Sequence, residues 1–254
     1  MRVKNLLLAA AACTLLSTTP PLAATAPPVK NIVLVHGAWV NGSGWRPVFE
    51  ILVKDGYHVS VAEHPLTSFS DDVTAVKRVL AMQEGPTIIV GHSYGGAIIT
   101  EVGNDPKVVG LVYIAAHALD EGETEVANGK KFPNATKAVK RTTDDFLYLD
   151  PAFYAADFAA DLPKEQAEFE AQAEELTAAS VFGTPAGIPA WKTKPSWYMV
   201  AKADRIIIPD LERMYAKRAN SHTVEIAGAS HSVYESHPKE VAALIEQAAQ
   251  HAQD

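Results

Sequence analysis

The sequence predicts an α/β fold, in which helices cover both faces of a mostly parallel β-sheet. Three observations support this fold class. From residue 30 onward, short and nearly all-apolar runs alternate with segments of helical periodicity. Strands of a parallel sheet have this composition because helices bury them on both faces. The chain has 254 residues, 48% of them hydrophobic, which is enough for one large domain with a sizeable core.

The first part of the sheet is predicted within residues 25–116. Apolar runs indicate strands at residues 31–36, 57–62, 87–91 and 108–116. Residues 71–83 have apolar side chains at helical spacing, and the acidic residues at the start of this segment suit the helix dipole. A second helix is expected over residues 95–103, directly after the third strand.

Residues 117–190 interrupt this alternation and are predicted to form a helical cap. Helix starts are expected at Asp150-Pro151 and at Asp161-Leu162-Pro163, where a capping acid precedes a proline. The segment contains six of the eight phenylalanines, namely Phe132, Phe146, Phe153, Phe158, Phe169 and Phe182. Such an insertion suits a cap above the carboxyl ends of the strands, where open α/β sheets bind ligands. The alternative is a subdomain whose phenylalanines form only its own core.

The core is predicted to resume over residues 191–254. Strands are expected at residues 196–201 and 222–227, and helices at about 209–219 and 238–252. The sheet is therefore expected to be built from two parts of the chain that the cap separates.

Residues 1–24 are predicted to be a secretory signal peptide. Two basic residues precede an 11-residue apolar stretch at 6–16, and small residues follow, with cleavage expected after Ala24. The apolar stretch is too short to span a bilayer as a helix. The expected location is periplasmic or secreted. As an alternative, Cys13 would be the acylated residue of a lipoprotein.

Charge and composition exclude several classes of partner. Removal of residues 1–24 takes two of the 22 basic residues and none of the 30 acidic ones, so the mature chain has a formal charge of −10. No basic stripe remains, so nucleic acid and anionic membrane surfaces are not expected partners. No histidine pair has metal-ligand spacing supported by nearby cysteines or carboxylates, so no metal site is predicted. No cofactor is expected.

Ser93 is the candidate nucleophile. It lies in the motif G-x-S-x-G, between the strand at 87–91 and the helix at 95–103, with Gly91 and Gly95 on either side. A serine on such a sharp strand-to-helix turn projects its hydroxyl above the sheet, and small neighbours let the two elements approach. The helix N-terminus behind it stabilises developing negative charge.

Asp204 and His231 are the candidate partners of Ser93. A serine hydroxyl needs a base near neutral pH, and the base needs an orienting acid. Asp204 follows the strand at 196–201, and His231 follows the strand at 222–227. Because parallel strands end at the same edge of a sheet, we expect the three side chains to meet there.

Other acidic and histidine side chains fit these roles less well. Asp120 follows the fourth strand and is the alternative acid. Asp210 is expected to cap a helix, and His237 precedes a proline at a helix start. His58 and His64 flank the second strand and are expected at the surface or in packing contacts.

Two backbone amides are the candidate donors to an oxyanion. One belongs to Tyr94, the residue after the nucleophile, and the other to Ala38, in the loop after the first strand. Gly37 lets the backbone turn there without a side-chain clash. His36 and Trp39 are expected to shape this loop, and Trp39 is the candidate substrate contact, with packing as its alternative role.

Four segments resemble, in this order, the α/β-hydrolase superfamily: VLVHGAW, GHSYGG, AKADRIIIP and ASHSVYESHP. They are similar in particular to bacterial cofactor-free esterase-like members related to plant methylesterases and hydroxynitrile lyases. The resemblance extends from about residue 30 to the C-terminus and is least specific in the cap. It implies Ser93, Asp204 and His231 as a catalytic triad, with the oxyanion donors named above.

Differences from related enzymes reduce the number of reactions that the sequence is compatible with. Haloalkane dehalogenases and epoxide hydrolases of this superfamily have an aspartate at the position of Ser93. Hydroxynitrile lyases of the related type have a threonine at the position of Gly37 and a lysine at that of Ser232, so the lyase reaction is disfavoured. The spacing from HGAW to Trp45 also differs from the plant enzymes, so their pocket residues do not transfer.

The expected function is therefore a serine hydrolase that cleaves small or medium carboxylic esters, or lactones, through an acyl-enzyme on Ser93. Two alternatives remain open from the sequence. One is a different cofactor-free reaction at the same site, such as perhydrolysis. The other is a ligand-binding protein that keeps the triad but has low turnover.

Overall fold

A computed structural model describes residues 29–253, so the predicted signal peptide and Cys13 lie outside the described residues. Within these residues the strands are β1 Asn31–Val35, β2 His58–Ala62, β3 Thr87–His92, β4 Val108–Ile114, β5 Val139–Arg141, β6 Phe146–Leu149, β7 Thr177–Ala178, β8 Ser196–Ala201 and β9 His222–Ile226. The α-helices are α1 Arg46–Lys54, α2 Phe69–Ala81, α3 Gly95–Val102, α4 Glu125–Lys131, α5 Pro151–Asp157, α6 Lys164–Glu170, α7 Pro209–Arg218, α8 Val233–Ser236 and α9 Pro238–His251.

Six strands form one parallel sheet in the order β2-β1-β3-β4-β8-β9. Every residue of β1, β3 and β8 is buried, whereas β9 at the sheet edge is largely exposed. The predicted fold class, a mostly parallel sheet with helices on both faces, is confirmed. Because all six strands are parallel, the carboxyl ends of β3, β8 and β9 lie at one edge of the sheet.

Alternating side chains of the strands face two separate apolar layers. Val33 and Val35 of β1 pack with side chains of α2, α3 and α7. Ile32 and Leu34 pack on the opposite face with side chains of α1 and α9. This division follows from the two-residue period of a strand, which sends successive side chains to opposite faces.

Helix α1 was not predicted from the sequence. It begins at Arg46, has Pro47 in its first turn, and buries Val48 and Leu52 four residues apart against the sheet. Proline is favoured in the first turn of a helix because the first N–H groups have no intrahelical acceptor. The signal was therefore present in the sequence, although the segment is only nine residues long.

The insertion between β4 and β8 contains helices α4 to α6 and also a small antiparallel sheet, β5-β6-β7. The sequence predicts only helices in this segment, because strands of two to four residues are too short to show a periodic pattern. Asp150 caps α5, accepting a hydrogen bond from the amide of Ala152. Asp161 does not cap α6: Pro163 holds the N-cap position, and the Asp161 carboxylate instead accepts from Ser230 Oγ.

Among residues 29–253, no helix has the length and apolar character needed to cross a membrane.

Candidate active site

Ser93 lies on a strained turn between β3 and α3. Its φ of +53° falls in the left-handed region, which non-glycine residues adopt at a cost of about 1–3 kcal/mol. The packing that maintains this turn is tight, since a Cβ on Gly91 would lie 2.6 Å from the carbonyl oxygen of Gly95. The carbonyl oxygen of Ser93 accepts hydrogen bonds from the amides of Gly96 and His117, at 2.9 and 3.1 Å. The backbone thus holds the serine at the carboxyl edge of the sheet.

Asp204 and His231 form a buried hydrogen-bonded pair. The distance from His231 Nδ1 to Asp204 Oδ2 is 2.6 Å, and neither side chain is exposed. Asp204 Oδ1 accepts the amides of Ile206 and Ile207 at 2.7 and 2.9 Å, so the loop after β8 orients the carboxylate. A carboxylate that accepts from Nδ1–H leaves the lone pair of His231 on Nε2.

His231 Nε2 is buried and has no hydrogen-bond partner among the described residues. Among residues 29–253, no hydrogen bond joins His231 Nε2 to Ser93. The ring packs edge-on against Phe158, with centroids 4.8 Å apart. His92 Nε2 lies 2.9 Å from the carbonyl oxygen of His231 and donates to it, because burial lowers the pKa of His92 and leaves one ring proton for this bond.

Glu212 of α7 is a neighbour of Asp204 that the sequence analysis missed. Its side chain is fully buried, and Oε2 accepts the amide of Ala201 at 3.1 Å. Burial, reinforced by the charge of Asp204, raises the pKa of Glu212 well above its ordinary value. A protonated Glu212 places no second negative charge beside Asp204. Only the packing of α7 on β8 reveals this contact, because glutamate in a helix is ordinarily a surface residue.

The backbone N–H groups of Ala38 and Tyr94 are both free to donate hydrogen bonds to a ligand. Within residues 29–253, neither N–H group donates a hydrogen bond, although both residues are buried, with 1% of their surface exposed. A Cβ on Gly37 would lie 2.8 Å from the Cβ of Ser93, which shows how closely the loop after β1 approaches the serine. Unpaired buried N–H groups are costly unless a ligand satisfies them, so this arrangement is typical of an oxyanion-binding site.

A cavity of about 350 Å³ opens over Ser93 beneath the insertion. Its walls are mostly apolar and aromatic, and include Trp39, Val126, Phe132, Val139, Leu147, Phe182, Ile206, Ile207 and Leu211. Only Phe132 and Phe182 of the six insertion phenylalanines line it. Phe158 packs on His231 instead, and Phe169 is 72% exposed. Two of the six phenylalanines therefore face the cavity over Ser93, as expected for a cap above the site.

His117 and Glu125 form a polar pair in the wall of the cavity, which also includes Lys130, Asn134 and Arg141. His117 Nε2 lies 3.2 Å from Glu125 Oε2, and both side chains are nearly buried. Burial lowers the pKa of His117 to about 3 and raises the pKa of Glu125 well above its ordinary value, so burial favours the neutral form of each group. Neither residue lies in a sequence motif that predicts a role in the site.

The competing residues lie apart from the Asp204–His231 pair. Asp120 forms an ion pair with Lys192 and accepts the amide of Glu121. The prediction that Asp210 caps α7 is wrong, because Ile208 is the N-cap residue. Asp210 instead forms an ion pair with Arg213 at 3.0 Å. Among residues 29–253 there is no group of three or more His, Cys, Asp or Glu side chains arranged to hold a metal ion.

A model of the alpha/beta hydrolase family matches residues 32–244. The chain belongs to this family. A pyrethroid hydrolase of Sphingobium wenxiniae is 27% identical to it over 244 residues, which cover 85% of this chain and 86% of the relative. A carbendazim hydrolyzing esterase of Nocardioides sp. is 35% identical over 111 residues, 38% of this chain and less than half (46%) of that relative's length.

Two solved structures share the fold of this chain. A pyrethroid hydrolase from Sphingobium faniae JZ-2 superposes with a TM-score of 0.77 at 25% identity, covering 88% of this chain and 98% of that one. A methylesterase from Arabidopsis superposes with a TM-score of 0.74 at 18% identity, covering 87% and 98%. The resemblance to an esterase-like branch with plant methylesterases as relatives is confirmed.

Glu235 of α8 makes the stability of this hydrolase-family member depend on pH. Burial, reinforced by the carboxylate of Glu170, raises the pKa of Glu235 to about 9. The unfolded chain loses this proton near 4.5, whereas the folded chain keeps it to higher pH. The free energy of unfolding should therefore decrease as pH rises, by about 4 kcal/mol between about pH 5 and pH 8 from this group.

The variant Glu235→Gln tests this expectation, because the amide has no proton to lose. Urea unfolding at a series of pH values should give a shallower decrease for this variant than for the wild type. Glu240→Gln, at an exposed position of α9, is the matched control and should follow the wild-type curve. An equally steep decrease in Glu235→Gln would refute the assignment.

Proposed function

We propose that the protein is a serine hydrolase that cleaves carboxylic esters through an acyl-enzyme on Ser93, with Asp204 and His231 completing a catalytic triad. The observation that carries this proposal is the buried pair of Asp204 and His231, 2.6 Å apart, which leaves His231 Nε2 unpaired as a base. The strained turn at Ser93 and its position at the cavity support the same role. Both hydrolase relatives are named for reactions on small molecules.

In the first half of the reaction, Ser93 Oγ attacks the carbonyl carbon of the ester while His231 Nε2 accepts the hydroxyl proton. Asp204 stabilises the imidazolium that forms. The amides of Ala38 and Tyr94 bind the oxyanion of the tetrahedral intermediate. The intermediate collapses, the C–O bond to the alcohol breaks, and His231 returns the proton to the departing oxygen.

In the second half, water attacks the acyl-enzyme and His231 accepts its proton. The second tetrahedral intermediate then releases the carboxylic acid, and Ser93 recovers its proton from His231. Every proton that the base accepts is returned within one cycle, so the side chains of the site are sufficient for ester hydrolysis.

The cavity sets the class of substrate. About 350 Å³ of mostly apolar space favours a small or medium ester with an aliphatic or aromatic group against Trp39 and Phe182. A lactone of similar size would fit the same chemistry. We place the enzyme in the periplasm or outside the cell, on the basis of the signal-like residues 1–24.

A series of p-nitrophenyl esters of increasing acyl length tests the proposal on the mature protein. We expect release of p-nitrophenol, with a maximum in kcat/KM at an acyl length that fills the cavity. An alkyl phosphonate probe should label the protein once, at Ser93, as located by mass spectrometry of the digested protein. Label on another residue, or no label together with no turnover of any ester, would contradict the proposal.

A further inference from the structure

Asp72 lies in the first turn of α2, and its carboxylate is wholly buried. Oδ2 accepts the hydroxyl of Tyr94 at 2.6 Å, and Oδ1 accepts the amide of Leu66 at 2.8 Å. Burying a carboxylate costs free energy of folding unless the carboxylate accepts hydrogen bonds. The segments that supply these two donors are therefore held in place around Asp72. One of them is the side chain of Tyr94, whose own amide is a proposed oxyanion donor.

His64 lies between this carboxylate and the loop after β1, and its ring is hydrogen-bonded to the loop alone. Its Nδ1 lies 3.4 Å from Asp72 Oδ1, and its Nε2 donates to the carbonyl oxygen of His36 at 3.1 Å. The rings of His64 and His36 are stacked, with centroids 3.8 Å apart and planes inclined by 6°. Burial lowers the pKa of His64, which favours the neutral ring. Its one proton is on Nε2, because that atom faces a carbonyl oxygen.

His36 in turn fixes the peptide plane that carries the second donor. Its Nδ1 lies 2.8 Å from the carbonyl oxygen of Gly37 and donates to it. Because a peptide group is planar and trans, the orientation of this carbonyl also determines the direction of the N–H of Ala38. Loss of this hydrogen bond would let the Gly37 carbonyl turn, and the N–H of Ala38, a proposed oxyanion donor, would turn with it.

We propose that Asp72 and His64 are positioning residues that hold both oxyanion donors in place, Asp72 through the hydroxyl of Tyr94 and His64 through His36. This inference rests on the proposed function. Neither residue touches the substrate cavity, so their effect passes through the two loops. Hydrogen-bond donors that are preorganised around a developing oxyanion are worth more in the transition state than in the bound substrate.

The variant Tyr94→Phe is the sharpest test, because it removes the hydroxyl and keeps both the ring and the backbone amide. We expect kcat to fall about tenfold or more, with KM within about twofold of the wild type. Inhibition by a trifluoromethyl ketone, which forms an oxyanion on Ser93, should weaken by a similar factor. His64→Gln should give the same pattern through the other donor.

Tyr113→Phe is the matched control. Its hydroxyl is equally buried and bonds to Thr100 Oγ1 at 3.0 Å, away from both loops. This variant should keep the wild-type kcat and inhibition. Asp72→Asn combined with Tyr94→Phe should cost little more than the larger single effect, because both changes break one contact.

Three outcomes would overturn the inference. Equal kcat and inhibition in Tyr94→Phe and Tyr113→Phe would show that the hydroxyl positions nothing. A rise in KM with unchanged kcat would indicate substrate binding instead, and a loss of thermal stability with normal kcat would indicate a structural role. If Ser93→Ala is inactive while Tyr94→Phe is normal, only the positioning role fails. If Ser93→Ala is fully active, the hydrolase proposal itself fails.

Discussion

Replacing Ser93 with alanine should lower kcat/KM for a p-nitrophenyl ester by about 10⁴-fold or more. The variant lacks the oxygen that forms the acyl-enzyme, while the cavity and the two free amides remain. The residual rate would come from binding and oxyanion stabilisation alone. Initial rates at matched protein concentrations, with phosphonate labelling in parallel, measure the effect. Labelling should be lost together with activity.

Ser196→Ala is the matched control for this substitution. Ser196 is buried in β8, and its hydroxyl bonds to Ser221 Oγ at 2.7 Å, so the variant also removes a buried serine hydroxyl. It should keep activity close to the wild type. Comparable activity of Ser93→Ala and Ser196→Ala would mean that Ser93 is not the nucleophile.

Asp204→Asn should have the second-largest effect, a decrease in kcat of about 10⁴-fold with the fold intact. Asparagine keeps an oxygen for the amides of Ile206 and Ile207. Its –NH₂ group would then face His231 Nδ1 and favour the tautomer with the proton on Nε2. A protonated Nε2 cannot accept the proton of Ser93. Steady-state kinetics and a thermal unfolding curve separate the loss of catalysis from a loss of stability.

Asp120→Asn discriminates between the two candidate acids. Asp120 follows β4, the other position considered from the sequence, but its carboxylate pairs with Lys192. The kcat/KM of this variant should remain within about threefold of the wild-type value, because loss of a partly exposed ion pair usually has a small effect. A large loss in Asp120→Asn with a normal Asp204→Asn would reverse the assignment of the acid.

The order of strands and helices was readable along the chain because parallel strands and amphipathic helices leave periodic patterns. The strand at residues 196–201 is observed at the predicted bounds, and β1, β3 and β9 differ by one residue. The short strands of the insertion were not predictable, because two to four residues carry no periodic signal. The same limit applies to the cavity wall, since the sequence does not show which phenylalanines turn inward.

The sequence by itself determined the fold class, the strand-to-helix turn at Ser93, and the two loops that carry Asp204 and His231. These features are local, and each follows from a few neighbouring residues and the rule that parallel strands share an edge. Only the tertiary structure decided which distant side chains pair there. Glu212 beside Asp204, and Asp72 beneath Tyr94, are acidic residues in helices, where sequence alone favours a solvated surface position. Their burial results from the packing of whole helices against the sheet, which no short segment specifies.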